Sequence, residues 1–214
     1  MNILDRTANL FVAALKSYGP SSVKKILWDK EFSGTKWNFI DNTAGDCVYP
    51  NLEKYGKNGS ILDLGCGPGN TANELAATAY QNYIGVDISD AALEKARKRT
   101  AQNGRGSKNT FFQGDFLKFE ANQKFDVILF RESMYHVPIP KIKDTLDHYA
   151  KYLKSDGVFM VRMGISDTEN QGKDKPRPAA MVRILEDEFE VVEKNTYEGV
   201  SRPIVLVLRP RRGV

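Results

Sequence analysis

Cysteine and histidine are nearly missing from this sequence, with two of each among 214 residues. Cys47 and Cys66 form no C-x-x-C pair, and two histidines cannot build a zinc cluster, so metal and disulfide scaffolds are excluded and no metal site is expected. A reduced, cytoplasmic protein is the corresponding reading. Long hydrophobic runs are also lacking. The stretch "LFVAAL" follows Asp5 and Arg6 and is too short for a signal-peptide core or a membrane span, so no membrane partner and no processing are expected. Nor is there a strong excess of one charge. Lys and Arg total 31 against 27 Asp and Glu, a net +4 that does not call for a nucleic-acid partner.

What is present is enough apolar material, 41% hydrophobic and 10% aromatic, for one substantial core. A single domain over 1–214 is expected, divided into an N-terminal helical cover (1–45) and a regular core (59–214). In the cover, Leu4, Ala8, Phe11 and Leu15 share a helical face and Gly19-Pro20 stops it. Ser21 or Ser22 can cap a short second helix through Leu27, and "WDKEFSGTKWNF" reads as irregular.

From Ser60 the pattern alternates. "SILDLG" is a strand, Ala72, Leu75, Ala76 and Ala79 recur at helical spacing, "NYIGVDI" is a second strand, and Ser89 caps a helix that ends at Gly104. "TFFQGDF", "FDVILFR" and "GVFMVRM" supply three more strands, with Ile142, Thr145, Leu146, Tyr149 and Leu153 marking a helix before the last of them. "VILF" and "VFMV" are apolar on both faces, as central strands of a helix-covered parallel sheet must be. After a short helix near Met181 to Leu185, "FEVVEKNTYE" and "PIVLVLR" have no crossover helix between them and should pair antiparallel. The expected fold is α/β, a doubly wound, mostly parallel seven-stranded sheet with one antiparallel strand.

In such a sheet ligands bind beyond the carboxyl ends of the strands, at the first strand-to-helix turn, here "GCGPG". Gly65 and Gly67 allow close approach of a ligand to bare main chain, and Gly69 lets the next helix start tight against it. A dinucleotide fingerprint, G-x-G-x-x-G/A, would need a small residue where Asn70 stands. The early Gly69 and the intervening Pro68 also suit a pyrophosphate poorly.

"ILDLGCGPG" resembles the first motif of the class I S-adenosylmethionine-dependent methyltransferases, of the small-molecule type, and the likeness runs from Gly59 to the C-terminus. The resemblance implies S-adenosylmethionine as cofactor and S-adenosylhomocysteine as product, with Gly65, Cys66, Gly67 and Gly69 as the cofactor turn. It implies that Asp87 of "GVDIS", with Ile88 beside it, binds the ribose hydroxyls, and that Asp115 and Phe116 of "QGDF" meet the adenine amino group and ring. "FDVILFRESMYHV" is similar to the fourth-strand motif beside the methionine half, where the Arg131 backbone carbonyl would meet the ammonium. Trp37 or Lys36 would lie near the methionyl carboxylate. The final hairpin resembles the family's reversed strand.

Several of these residues admit a plainer role. Asp63 can cap the glycine turn by accepting backbone N–H bonds, a role that outranks ligand contact. Asp115 can simply start a turn, and Cys66 fits for its size. Methyl transfer needs alignment and exclusion of water more than a catalytic side chain. For a hydroxyl acceptor His136 is the candidate base, with Tyr135 and Glu132 as candidates to position or polarise the acceptor; pocket shaping is the alternative for His136. His148 reads as surface. Trp28, Phe32, Trp37 and Phe39 are candidate pocket walls or packing residues, and "GISDTENQGKDKPRP" reads as a mobile loop and candidate lid.

The expected partner is a small-molecule acceptor, nitrogen before oxygen, and the expected state a monomer or homodimer. A nucleic-acid enzyme would show [DNS]-P-P-[FYW] where this chain has "RESMYHVP", and a lone Glu132 is not the paired-glutamate loop of arginine methylation. An RNA enzyme or a cofactor-binding protein without turnover are the alternatives.

Overall fold

The computed structural model describes residues 3–34, 43–165, 178–199 and 201–211. Seven strands form one sheet in the order β3-β2-β1-β4-β5-β7-β6. They are β1 (Gly59–Leu64), β2 (Tyr80–Asp87), β3 (Asn109–Gln113), β4 (Phe125–Arg131), β5 (Leu153–Gly164), β6 (Phe189–Thr196) and β7 (Pro203–Pro210). The pairs among β1 to β5 are parallel, while β7 runs antiparallel to both β5 and β6. The expected hairpin is therefore present. Its second strand inserts beside β5, because the apolar run Ile204–Leu208 is buried throughout whereas β6 carries the solvent-facing Glu190 and Lys194 that suit an edge.

Helices cover both faces. Leu62, Leu64, Phe130 and Phe159 pack against α6 (Ile142–Ala150) and α7 (Pro178–Glu188), contributing Leu146 and Leu185. On the other face Ile61, Leu129, Met160 and Val207 meet α3 (Val48–Gly56), α4 (Asn70–Glu74) and α5 (Asp90–Gln102) through Leu52, Ala72 and Leu93. Alternation of these two sets along each strand is the period of two that a doubly covered sheet imposes.

Ser89 caps α5 as expected, its hydroxyl accepting the Ala92 N–H at 3.2 Å. Elsewhere the helices depart from the sequence reading. The helical spacing through Ala79 is not realised: α4 stops at Glu74, and the carbonyls of Ala72 and Leu75 are taken instead by the Arg105 guanidinium at 2.9 and 2.7 Å. Side chains satisfy the helix end and free the chain to turn into β2. α1 (Ile3–Tyr18) is present, but α2 (Ser21–Ser33) continues well past Leu27 through the segment read as irregular. Its cap is Pro20, whose carbonyl accepts the N–H groups of Val23 and Lys24. α3 had no sequence expectation at all.

Candidate active site

The glycine turn after β1 is fixed by the neighbouring strand: the Val86 carbonyl accepts the Gly65 and Cys66 N–H groups at 2.8 and 3.1 Å. Gly65, Gly67 and Gly69 all have positive φ, +81°, +51° and +73°, a region side chains disfavour. A methyl group on Gly65 would lie 2.5 Å from Ser133 Cβ, and one on Gly69 would lie 2.7 Å from Ala96 Cβ. At Gly67, which is buried, the nearest atom is 3.7 Å away on the Phe32 ring, so here the turn is covered by an aromatic side chain and not by main chain. Cys66 fits by size, since its thiol fills the space beside the side-chain-free Gly85. Burial pushes that thiol up, well above the usual range, and neither cysteine is in a disulfide.

Two buried acids face this turn. Asp87, at the end of β2, accepts the Gly67 N–H through Oδ2 at 2.8 Å and the Ser89 N–H through Oδ1 at 2.9 Å. The capping task expected of Asp63 thus falls to Asp87. Asp63 instead accepts the Tyr83 hydroxyl at 2.6 Å, and its Oδ1 is buried without a hydrogen-bond partner. Burial pushes both carboxyls up to about 6, against the N–H bonds to Asp87 and the Tyr83 hydroxyl and Arg131 charge beside Asp63. Ser133, pressed against Gly65, also has a buried hydroxyl without a partner. Ile88 follows Asp87, and its carbonyl accepts the Gln113 amide at 3.1 Å.

Asp115 does start a turn, accepting the Leu117 N–H at 3.1 Å through Oδ1. Its Oδ2 is held by α2, at 2.9 Å from the Ser21 hydroxyl and 3.2 Å from Lys24 Nζ. Phe116 packs edge-on against Phe130 with ring centroids 6.2 Å apart, and its carbonyl accepts the Tyr149 hydroxyl. Its ring edge lies 3.7 Å from where a methyl group on Gly65 would stand.

Beyond β4 the candidate catalytic residues are directed to different partners. The Tyr135 hydroxyl donates to the Gly164 carbonyl at 2.8 Å, and burial pushes it up to about 12. Glu132, at φ +55°, pairs with Arg162. The His136 ring sits edge-on to Trp28 at 4.8 Å between centroids. The Arg131 guanidinium pairs with Asp46 at 2.8 Å and donates to the Tyr49 hydroxyl at 3.1 Å and to the Thr71 hydroxyl, just after the glycine turn, at 3.3 Å. Arg162, its register partner on β5, reaches the same Asp46 at 3.2 Å. The two guanidinium charges pull the Asp46 carboxyl below its ordinary range, although its burial acts the other way.

His148 packs edge-on against Tyr149, and its Nε2 is 3.2 Å from the Phe119 carbonyl. Trp37, Lys36, Phe39 and most of the candidate lid, 166–177, lie outside the described residues. Among the described residues no cluster of His, Cys, Asp and Glu is placed to hold a metal, and no helix is long and apolar enough to cross a membrane.

Asp46, Lys24, Asp29 and Arg162 were not anticipated from sequence. Each acts through a partner distant along the chain, which no local pattern marks.

Residues 56–199 match the model of a methyltransferase domain. This chain belongs to the methyltransferase domain family. Its sheet order and motif series are those of the class I, S-adenosylmethionine-dependent branch. A sterol 24-C-methyltransferase of Saccharomyces cerevisiae is 34% identical over 103 residues, 47% of this chain and 26% of that protein. A carboxy-S-adenosyl-L-methionine synthase of Wolinella succinogenes is 40% identical over 89 residues, 40% of this chain and 35% of that protein. The methyltransferase thus aligns with about a third or less of the length of these relatives. The N-methyltransferase NodS of Bradyrhizobium japonicum, solved with S-adenosyl-L-homocysteine, shares the fold with a TM-score of 0.70 at 18% identity, over 88% of this chain and 98% of that one.

Proposed function

We propose that this methyltransferase binds S-adenosylmethionine in the crevice formed by the glycine turn, Asp63, Asp87, Asp115 and Phe116, and methylates a small-molecule acceptor, preferably at nitrogen. The observation that carries the cofactor reading is the buried Ser133 hydroxyl, without a hydrogen-bond partner, against a main chain that only glycine permits at Gly65, with the buried acid Asp63 two residues before it. A buried polar group without a partner is unfavourable, and a hydrogen-bonding ligand relieves it. The two Asp87 oxygens match a vicinal diol, and an acid at Asp115 matches an exocyclic amine. The fit is therefore chemical as well as positional.

When bound, the cofactor supplies a methyl group on a positive sulfur. The chain's own part is to orient that end and exclude water. In this reading Gly65, Cys66, Gly67 and Gly69 serve the ligand through main chain, Ile88 on the ribose side and Phe116 on the adenine side, and the Arg131 carbonyl accepts from the ammonium. For the acceptor, Tyr135 is committed to a backbone carbonyl and Glu132 to Arg162, so neither is disposed as a base. A neutral amine attacks without losing a proton first, which favours nitrogen over a phenol. Trp28 and His136 then wall the acceptor side, His136 shaping the pocket. The sterol relative is named for a carbon acceptor and NodS for nitrogen, so the likeness alone does not choose.

A screen of amines and phenols for production of S-adenosylhomocysteine tests the reading. Turnover is expected with a small amine. Turnover confined to phenols would move the assignment to oxygen and return His136 to the role of base, and cofactor binding without turnover on any acceptor would leave a binding protein.

A further inference from the structure

α2 is an unusual helix to find over a buried site. Its inward stripe is Ser21, Lys24, Lys25, Trp28, Asp29 and Phe32, a helical spacing of threes and fours. A core helix would place aliphatic residues there. Instead Lys24 is buried at 7% exposure while Ile26, on the same helix, is 67% exposed. The polar stripe lies across the cofactor elements in order. Ser21 and Lys24 hold Asp115. Asp29 accepts the Ser89 hydroxyl at 2.8 Å and the Ala91 N–H at 3.2 Å, just beyond Asp87. Trp28 meets His136, and the Phe32 ring faces Gly67.

We propose that α2 is a strap whose Lys24 ammonium stands in for the cofactor at Asp115, and that cofactor binding exchanges this ion pair for a ligand contact, lifting the N-terminal end of the strap. The proposal rests on the cofactor reading above and goes beyond it, because it makes the crevice self-closing in the empty protein. The physical grounds are threefold. Asp115 Oδ2 already accepts two donors, from Ser21 and Lys24, so an adenine amine that takes this oxygen must displace one of them. Both charges are desolvated, with side chains 8% exposed, so the pair gains little over its hydrated parts, and Lys24 regains water when it leaves for solvent. The Gly19-Pro20 junction, where α1 ends and α2 starts, supplies a two-residue hinge at the end that must lift. Asp29 anchors the other half to the start of α5, which keeps the strap over the ribose side.

A closed empty state lowers apparent affinity by the fraction of open protein, so weakening the latch should tighten binding. Calorimetric titration with S-adenosylhomocysteine is the test. Lys24→Met should bind about threefold to tenfold more tightly than wild type, and Lys24→Arg, which keeps the cation, should bind as wild type does. Trypsin cleavage after Lys24 should accelerate when S-adenosylhomocysteine saturates the wild-type protein. Wild-type binding with equal or weaker affinity in Lys24→Met, or protection of that cleavage site, overturns the strap and leaves the cofactor reading standing. No binding in any of the three proteins overturns the cofactor reading and the strap with it.

Discussion

The two ends of the crevice are built differently. On the cofactor side, β1, its turn and the end of β2 are held by main-chain bonds, Val86 O to Gly65 and Cys66 and Asp87 to Gly67, between segments about 20 residues apart. On the acceptor side, the ends of β4 and β5 are held by side-chain charges drawn from far along the chain. Asp46 reaches Arg131 across 85 positions and Arg162 across 116. The cofactor side presents bare backbone and two acids whose charge burial disfavours. The acceptor side presents charges already neutralised by one another. One end thus keeps buried acids beside a glycine turn, and the other is a stiff frame of paired charges.

Four substitutions break or sharpen this contrast. The largest effect is expected on stability at the acceptor end. Arg131→Met removes a partner of the buried Asp46 and should destabilise the fold by about 3 kcal/mol in chemical denaturation, while the affinity for S-adenosylhomocysteine should change less than about threefold, since the contact proposed for Arg131 is its carbonyl. A large loss of affinity would show that its guanidinium contacts the ligand. Asp87→Ala should do the reverse, weakening S-adenosylhomocysteine binding by ~1.5 to 3 kcal/mol.

Asp63→Asn should stabilise the ligand-free protein by about 2 kcal/mol at pH 7. The sign follows from its raised carboxyl, about 6 in the fold against 3.8 as the ordinary value. The folded state holds the proton more tightly, so wild-type stability is fullest below pH ~4 and falls as pH rises through 6. The advantage of Asp63→Asn in calorimetric melting should accordingly vanish toward pH 4. The same rise in Asp87 makes ligand affinity fall as pH drops below about 6, by up to about tenfold per unit. The smallest effect belongs to Tyr135→Phe, which loses one hydrogen bond to a carbonyl and should cost about 1 kcal/mol of stability with turnover within a factor of about three. A hundredfold loss of turnover would instead assign the hydroxyl to chemistry.

The same contrast explains what could be read in advance. The strand series, the reversed final pair and the Gly65–Gly69 turn were legible because each depends on neighbours in sequence: alternating apolar residues, apolar runs, glycines at fixed spacing. The length of α2 was not, since its inward face is polar and gives no apolar stripe to count. Residues Asp46 and Arg162 carried no local pattern, as ion pairs across the fold have none. Asp63 was expected to serve the turn by capping it, yet the bond to the buried Gly67 N–H is made by Asp87, one strand over, at the end of β2.

The central claim is that this crevice holds an S-adenosyl compound through main chain at Gly67 and a carboxylate at Asp87. Titration of the wild-type protein and of Asp87→Ala with S-adenosylhomocysteine, beside nicotinamide adenine dinucleotide, tests it in one calorimetric series. The account predicts single-site binding of S-adenosylhomocysteine, weakened at least about tenfold in Asp87→Ala, and no binding of the dinucleotide. Binding of the dinucleotide alone, or S-adenosylhomocysteine affinity indifferent to Asp87, would contradict it.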